Sequence, residues 1–305
     1  MSENTMLEDK HLKKTVLHGS EQLKNIMKRI KLTIAYDGTN YVGWQIQKNG
    51  LAVEQVINEH LSRLLKEDIA VIGASRTDSG VHARGNVAVF DTDTRIPPEK
   101  LSYALNQSLP EDIRIARSEE VSADFHPRYA DCRKTYQYSI LNCRYNIPTL
   151  RLYNDYIYYY LDIEKMRRAA EYLIGEHDFV AFSSSGGQQK TSIRTIYNIT
   201  ITANAIDTML QAAEPDTASA IYSSGQNNRN YCPKQVHILI TGNGFLYNMV
   251  RIIAGTLEKV GMGVYPPEHV KEILDSCDRR QSAPKASACG LTLMGIEYLD
   301  LPEPQ

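Results

Sequence analysis

The sequence lacks the features that mark several common kinds of protein. Its 305 residues include five cysteines, Cys132, Cys143, Cys232, Cys277 and Cys289, scattered and with none in a C-x-x-C pair. That pattern supplies neither a disulfide framework nor a zinc knuckle, and it suits a reducing cytoplasm. No apolar run approaches the roughly 18 residues that a membrane span needs, so no membrane partner is expected. Residues 1–20 mix acids with lysines and contain no apolar core, unlike a signal or transit peptide. Charge of one sign is missing as well: 34 basic and 36 acidic residues leave a formal net charge of −2. Nucleic-acid binding would therefore have to use a local basic surface, because counterion release depends on where charges sit. His60, His82, His126 and His177 show no metal-type spacing, and 186-GGQQKTS-192 is not a G-x-x-x-x-G-K-[ST] phosphate loop. No metal site is expected.

What is present is material for an ordinary folded core, with 42% apolar residues in a chain long enough for about two domains. Ile30, Leu32 and Ile34 alternate with Lys31 and Thr33, which predicts a half-buried strand ended by the Asp37-Gly38 turn. Residues 53–66 place Val53, Val56, Ile57, Leu61, Leu64 and Leu65 at helical spacing. Strands at 69–72 and 87–92, a proline-initiated helix at 97–109 and a strand at 113–121 complete a β-α-β-β-α-β order of the ferredoxin-like kind. The second half runs similarly: strand 134–141, helix 162–175 with Asp162 as N-cap and Gly175 at its end, and strands 194–202 and 235–242. A helix at 248–263, another after Pro266-Pro267 and a strand at 293–300 follow. The expected fold is α+β, two ferredoxin-like halves with mainly antiparallel sheets and a cleft between them. Residues 28–130 form one domain and 131–300 the other. Residues 1–27 read as a mobile extension, and the polar stretch 205–234 as an insertion.

One stretch invites a chemical reading. In 73-GASRTDSGVHARGN-86, Asp78 is either the cap of a polar turn or a carboxylate displayed for chemistry, with Arg76 two residues away. Residue types alone leave both readings open. In the helix at 248–263 the core stripe is Met249, Ile253, Leu257 and Val260. Arg251 lies about 200° from Ile253, facing away from that stripe with Gly255 and Glu258. It is either a solvated surface arginine or the partner of a carboxylate, since Gly255 lets another backbone approach that face. Lys134, Tyr136 and Tyr138 share one strand face; Trp44 suits a core, with Gln45 and Gln47 free to contact a ligand.

The blocks 35-AYDGTNYVGWQIQ-47, 75-SRTDSGVHARGNVAVF-90, 125-FHPRYADCRKTYQYSI-140, 176-EHDFVAFSSSG-186, 244-GFLYNMVRIIAGTLEKVG-261 and 290-GLTLMGIEY-298 resemble, in order, those of the tRNA pseudouridine synthase A family. The resemblance covers residues 28–300 and rests most heavily on R-T-D-x-G-V-H-A. It implies the pseudouridine synthase fold and a cofactor-free isomerase that turns uridine into pseudouridine in the tRNA anticodon arm, typically at nucleotides 38 to 40. It implies Asp78, Tyr136 and Arg251 as the catalytic set. Arg76 would hold the target nucleotide out of its stack, and Lys134, Tyr138, His82, Gln45 and Leu246 would contact substrate. Family members act as homodimers with tRNA across a basic surface. Two other classes weigh less. A glycoside hydrolase needs two acids flanking one bond, whereas this motif pairs one acid with arginines. A non-catalytic RNA-binding module would not need Asp78, Tyr136 and Arg251 together.

Overall fold

A computed structural model describes residues 27–187, 191–206 and 233–300. Residues 1–26 and 207–232, and with them the body of the expected extension and insertion, lie outside the described residues.

The first half holds β1 (Lys28–Tyr36), α1 (Val53–Leu65), β2 (Ile72–Gly73), β3 (His82–Thr92), α2 (Leu101–Asn106) and β4 (Ile113–Val121). The second holds β5 (Cys132–Asn142), β6 (Asp155–Ile157), α3 (Ile163–Glu171), β7 (Gly175–Asp178), β8 (Ile193–Ala205), β9 (Lys234–Gly242), α4 (Met249–Gly261), α5 (His269–Ser276) and β10 (Leu291–Tyr298). Both halves use the same strand arrangement. β4-β1-β3-β2 and β10-β5-β9-β8 each place their principal strands in the order fourth, first, third, second. The α+β expectation of two ferredoxin-like halves is met in element order and in layout.

The halves are not separate sheets. β10 pairs in parallel with the start of β3, through Thr292↔His82 and Leu293↔Ala83, and antiparallel with β5 from Cys132 to Tyr138. One ten-stranded, mostly antiparallel sheet therefore runs across the boundary expected near residue 130. Within it the alternation of β1 holds, with Ile30, Leu32 and Ile34 buried. Lys31, on the other face, is also covered, and its ammonium reaches Glu119 at 2.7 Å.

Several elements differ from expectation for local reasons. The helix expected at 97–109 begins as a 3-10 turn at Pro98–Lys100 and is α-helical only over Leu101–Asn106. Asp162 does cap α3, accepting from the Lys165 amide at 3.1 Å. Helical geometry stops at Glu171, and Gly175, with φ +110°, instead opens β7. β3 starts at His82, inside the polar stretch that opened the chemical question, so the loop proper is only 74–81. The expected strand at 69–72 shrinks to the two paired residues of β2.

In α4 the close approach at Gly255 is found, and burial goes beyond the apolar stripe. Its sequence has one apolar stripe, but twelve of its thirteen residues are buried, including Arg251, Gly255 and Glu258. The reason is a strap, residues 282–288, laid along the face that periodicity assigns to solvent. Ala286 N donates to Arg251 O at 3.0 Å, and Ala283 N donates to Thr256 Oγ1 at 3.3 Å. A Cβ on Gly255 would stand 2.3 Å from Pro284 O, so only glycine admits the strap there.

Candidate active site

The 74–81 loop leaves β2, crosses the mouth of the sheet and returns as β3, and it is held from several sides. Trp44 N donates to Thr77 O at 3.0 Å, and Gly43 forms an isolated bridge with Asp78. Gly43 has φ +110°, and a Cβ there would lie 2.5 Å from Thr77 O, so the two backbones touch only because the residue is glycine. The Tyr36 hydroxyl meets Thr77 Oγ1 at 2.7 Å, and Asn86 Nδ2 donates to Ser75 O at 3.0 Å. Within this frame the Asp78 carboxylate reaches across to the other half of the protein, where Arg251 Nη1 donates to Oδ2 at 3.3 Å. The carboxylate is thus aimed at a distant arginine, a placement that suits the second of the two readings left open by the sequence.

Arg251 is itself held tightly. Its Nε donates to Ala286 O at 2.8 Å and its Nη1 also donates to Asn248 Oδ1 at 3.1 Å. Asn248, at the start of α4 with φ +60°, is in turn tied by Nδ2 to Ser184 Oγ at 3.0 Å. A guanidinium fixed at Nε cannot swing, so its Nη1 has one direction in which to point.

Asp78 borders a cleft of about 810 Å³ between the halves. Asp78, Arg76, Tyr136, Lys134, Gln45 and Leu246 all line it, and Arg251 stands behind Asp78 with only 8% of its surface exposed. The Tyr136 and Phe245 rings meet in a T-shape with centroids 5.2 Å apart. Lys134 Nζ donates to Ala74 O and Ser75 Oγ, bracing the loop from β5.

Two expected substrate contacts sit elsewhere. Tyr138 is fully buried under the strap's end, where a Cβ on Gly290 would come within 2.8 Å of its ring. His82 is nearly so; its Nδ1 accepts from Gly38 N and its Nε2 donates to Leu152 O, both at 3.0 Å. Neither side chain reaches the cleft.

The structure adds lining residues that the residue-by-residue reading passed over. Arg128 and Tyr129 come from the F-H-P-R-Y block, and Arg128 Nε donates to Gly73 O at 2.7 Å. Phe245 and Asn248 come from the block that carries Arg251. Position inside a matching block is the signal that would have found all four. Arg76, Arg128 and Lys134 line the cleft with Asp78 as the one acid among its lining residues, so a chain of net negative charge has a locally basic cleft.

The electrostatics follow from burial. Burial pushes the Asp78 carboxyl up from its ordinary value, against the opposing pull of Arg251 and Lys285. Burial likewise pushes the Tyr136 hydroxyl up to about 12, a hydrogen bond with Ser75 opposing it and the Asp78 charge adding to it. Lys134 is lowered by the same desolvation. Near neutral pH the tyrosine is therefore a protonated hydrogen-bond donor, not a resting phenolate.

The family model described as "tRNA pseudouridine synthase" matches residues 32–130 and 169–299. The chain is 43% identical over 272 residues to the tRNA pseudouridine synthase A of Thermoanaerobacter sp. (strain X514), covering 89% of this chain and all of that protein. It is 44% identical over 272 residues, with the same coverage, to the protein of that name from Ruminiclostridium cellulolyticum. It is 42% identical over 275 residues to tRNA pseudouridine synthase A 2 of Clostridium perfringens, again over that protein's full length. Both segments that build the cleft, the aspartate loop and the arginine helix, fall inside the matched residues. The chain belongs to the tRNA pseudouridine synthase family.

Proposed function

We propose that this protein converts uridine to pseudouridine in the anticodon arm of tRNA, at nucleotides 38 to 40, with Asp78 as the essential carboxylate. The observation that carries the reading is the Asp78–Arg251 contact at 3.3 Å on the wall of a cleft large enough for an extruded nucleotide. The reaction breaks N1–C1′ and makes C5–C1′; C5 loses a proton and N1 gains one, so atoms balance without an external reactant. Asp78 either attacks C1′ or removes the C2′ proton, and both roles need an ionised acid. Burial opposes that ionisation, and Arg251 supports it.

The uridine must first leave its stack, at a cost of a few kcal/mol, because A-form RNA shields base edges. Arg76, exposed at the cleft mouth, is suited to fill the vacated place, and the Tyr136 ring to stack on the flipped base. With its hydroxyl held protonated, Tyr136 takes the C5 proton only as its own proton passes to another group; Asp78 faces the same cleft. Gln45, Lys134 and Leu246 line the remaining wall, and Arg128 extends its basic side.

The protein works in the cytoplasm as a homodimer, with tRNA crossing both subunits. Among the described residues no helix is long and apolar enough to cross a membrane. The test is pseudouridine mapping on tRNA incubated with the purified protein and with Asp78→Asn. Modification at 38 to 40 that disappears in the variant, with tRNA binding within a few-fold, is expected. A variant that turns over at the normal rate would sink the assignment.

A further inference from the structure

The motif K-T-Y-x-Y supplies two tyrosines on one strand face, and they end in different places. Tyr136 borders the cleft, while Tyr138, one strand repeat further along β5, lies wholly inside. Its hydroxyl stands 2.6 Å from Asp155 Oδ2 and 3.0 Å from Ser287 O. The same Asp155 Oδ2 accepts from Ser287 N at 3.1 Å. One carboxylate oxygen on β6 thus accepts from Ser287 N, and one phenol on β5, its single proton shared between Asp155 and Ser287 O, reaches the other backbone polar group of the same strap residue.

Ser287 N shares its peptide unit with the carbonyl that aims the arginine. Ala286, immediately before Ser287, accepts from Arg251 Nε at 2.8 Å and donates its own amide to Arg251 O at 3.0 Å. Contacts therefore run from Tyr138 and Asp155 to Ser287, from Ala286 to the guanidinium, and from Nη1 to Asp78. The last of these, at 3.3 Å, is already long for an N–H···O bond, so a small displacement of the strap would break it. The strap has few alternatives for its position. Pro284 O sits against Gly255, and Ala288 Cβ would lie 3.3 Å from a Cβ on Gly80, in the aspartate loop itself.

We infer that Tyr138 and Asp155 are positioning residues for the Asp78–Arg251 pair: they clamp Ser287, and through Ala286 O they set the plane of the Arg251 guanidinium. The inference rests on the reading of Asp78 and Arg251 as the catalytic pair. It gives Tyr138, expected to touch substrate, a task it performs without doing so. It also explains why a tyrosine is needed there: phenylalanine would fill the same volume but release Ser287 O. Misplacement of a catalytic group by about 1 Å can cost about 100-fold in rate, so a clamp three contacts away has leverage.

The experiment measures kcat and KM for tRNA with the full chain and variants. Tyr138→Phe and Asp155→Ala are each expected to lower kcat by ~10-fold, with KM within about twofold. Asp155→Asn keeps an oxygen that can accept from both Ser287 N and Tyr138, so it should restore kcat to within about twofold of the parent. In an Arg251→Ala background, Tyr138→Phe should cost nothing further, because its effect passes through the arginine. A parental kcat in both Tyr138→Phe and Asp155→Ala, a loss in Asp155→Asn as large as in Asp155→Ala, or an undiminished effect of Tyr138→Phe without Arg251 would each overturn the inference. Activity surviving in Asp78→Asn would instead overturn the underlying functional reading, and the two failures are separate.

Discussion

Arg251 Nη1 lies 3.3 Å from Asp78 Oδ2, though 173 positions separate the two residues. One sits on a loop of the first half, the other on a helix of the second. The contact is end-on through a single nitrogen, and the guanidinium's other bonds go to the backbone and to Asn248. Arg251 is thus anchored independently of Asp78, as a preorganised electrostatic partner should be.

Arg251→Lys keeps the charge but loses this anchoring. An ammonium is a point charge without a planar fork, and it cannot hold Ala286 O and Asp78 in the same geometry. We expect kcat to fall by roughly 100-fold in single-turnover assays while tRNA binding changes little. A parental rate would place the charge partner of Asp78 elsewhere.

The acid side of the pH–rate profile should report Asp78. The reacting form is ionised, so activity is lost as pH falls through its pKa, and burial sets that pKa above the ordinary carboxylate value. Arg251 from α4 and Lys285 from the strap pull it down, while Tyr136 from β5 faces it as a neutral hydroxyl. Arg251→Ala removes the larger opposing charge, so the acid limb of kcat/KM should move to higher pH. A limb that stays in place would mean that another group controls it.

Gly255→Ala tests the close approach behind the arginine. The added methyl would meet Pro284 O at 2.3 Å, and backbone on both sides leaves little room to yield. We expect a loss of about 1–3 kcal/mol in urea unfolding. Specific activity of the folded fraction should fall as well, because the displaced strap carries Ala286 O.

Glu258 gives the protein a pH-dependent stability unconnected with the reaction. Its carboxyl is buried and its Oε1 has no hydrogen-bond partner among the described residues. Burial, then the charge of Asp155, pushes it from 4.5 up to about 8. Between those values the folded state holds a proton that the unfolded chain has released. The contribution is full below about 4.5 and is lost as pH rises towards 8. Glu258→Gln has no such proton, so melting temperature measured from pH 5 to 8 should fall less steeply than in the parent. Equal slopes would remove Glu258 as the source.

Much of this was legible in the sequence because it is local. The alternation of Ile30, Leu32 and Ile34 marks β1, Asp162 marks the start of α3, and repeated element order marks the two halves. Blocks of matching sequence carried the cleft residues Asp78, Arg76, Tyr136 and Lys134. What remained hidden depends on contacts between distant segments. Periodicity puts Arg251 and Glu258 on a solvent face, and only the strap, which has little regular structure of its own, covers them. Tyr138 could not be separated from Tyr136 by spacing, since a strand repeats every two residues and both point the same way. Its burial comes from Gly290, more than 150 positions later. Short pairings such as β6 and β7 are set by the neighbouring strands rather than by their own residues.

The position of β10 bears on how the protein is made. It emerges after every other strand among the described residues, yet it lies between the halves and supplies the pairing that joins β3 to β5. A growing chain that has not yet exposed Leu291–Tyr298 presents two partial sheets with unsatisfied edges, the kind of surface that recruits other chains. The strap immediately precedes that strand, so the same few residues complete the sheet and bring the arginine to its aspartate. Closure of the sheet and placement of the arginine against its aspartate therefore both wait for the same short segment to emerge.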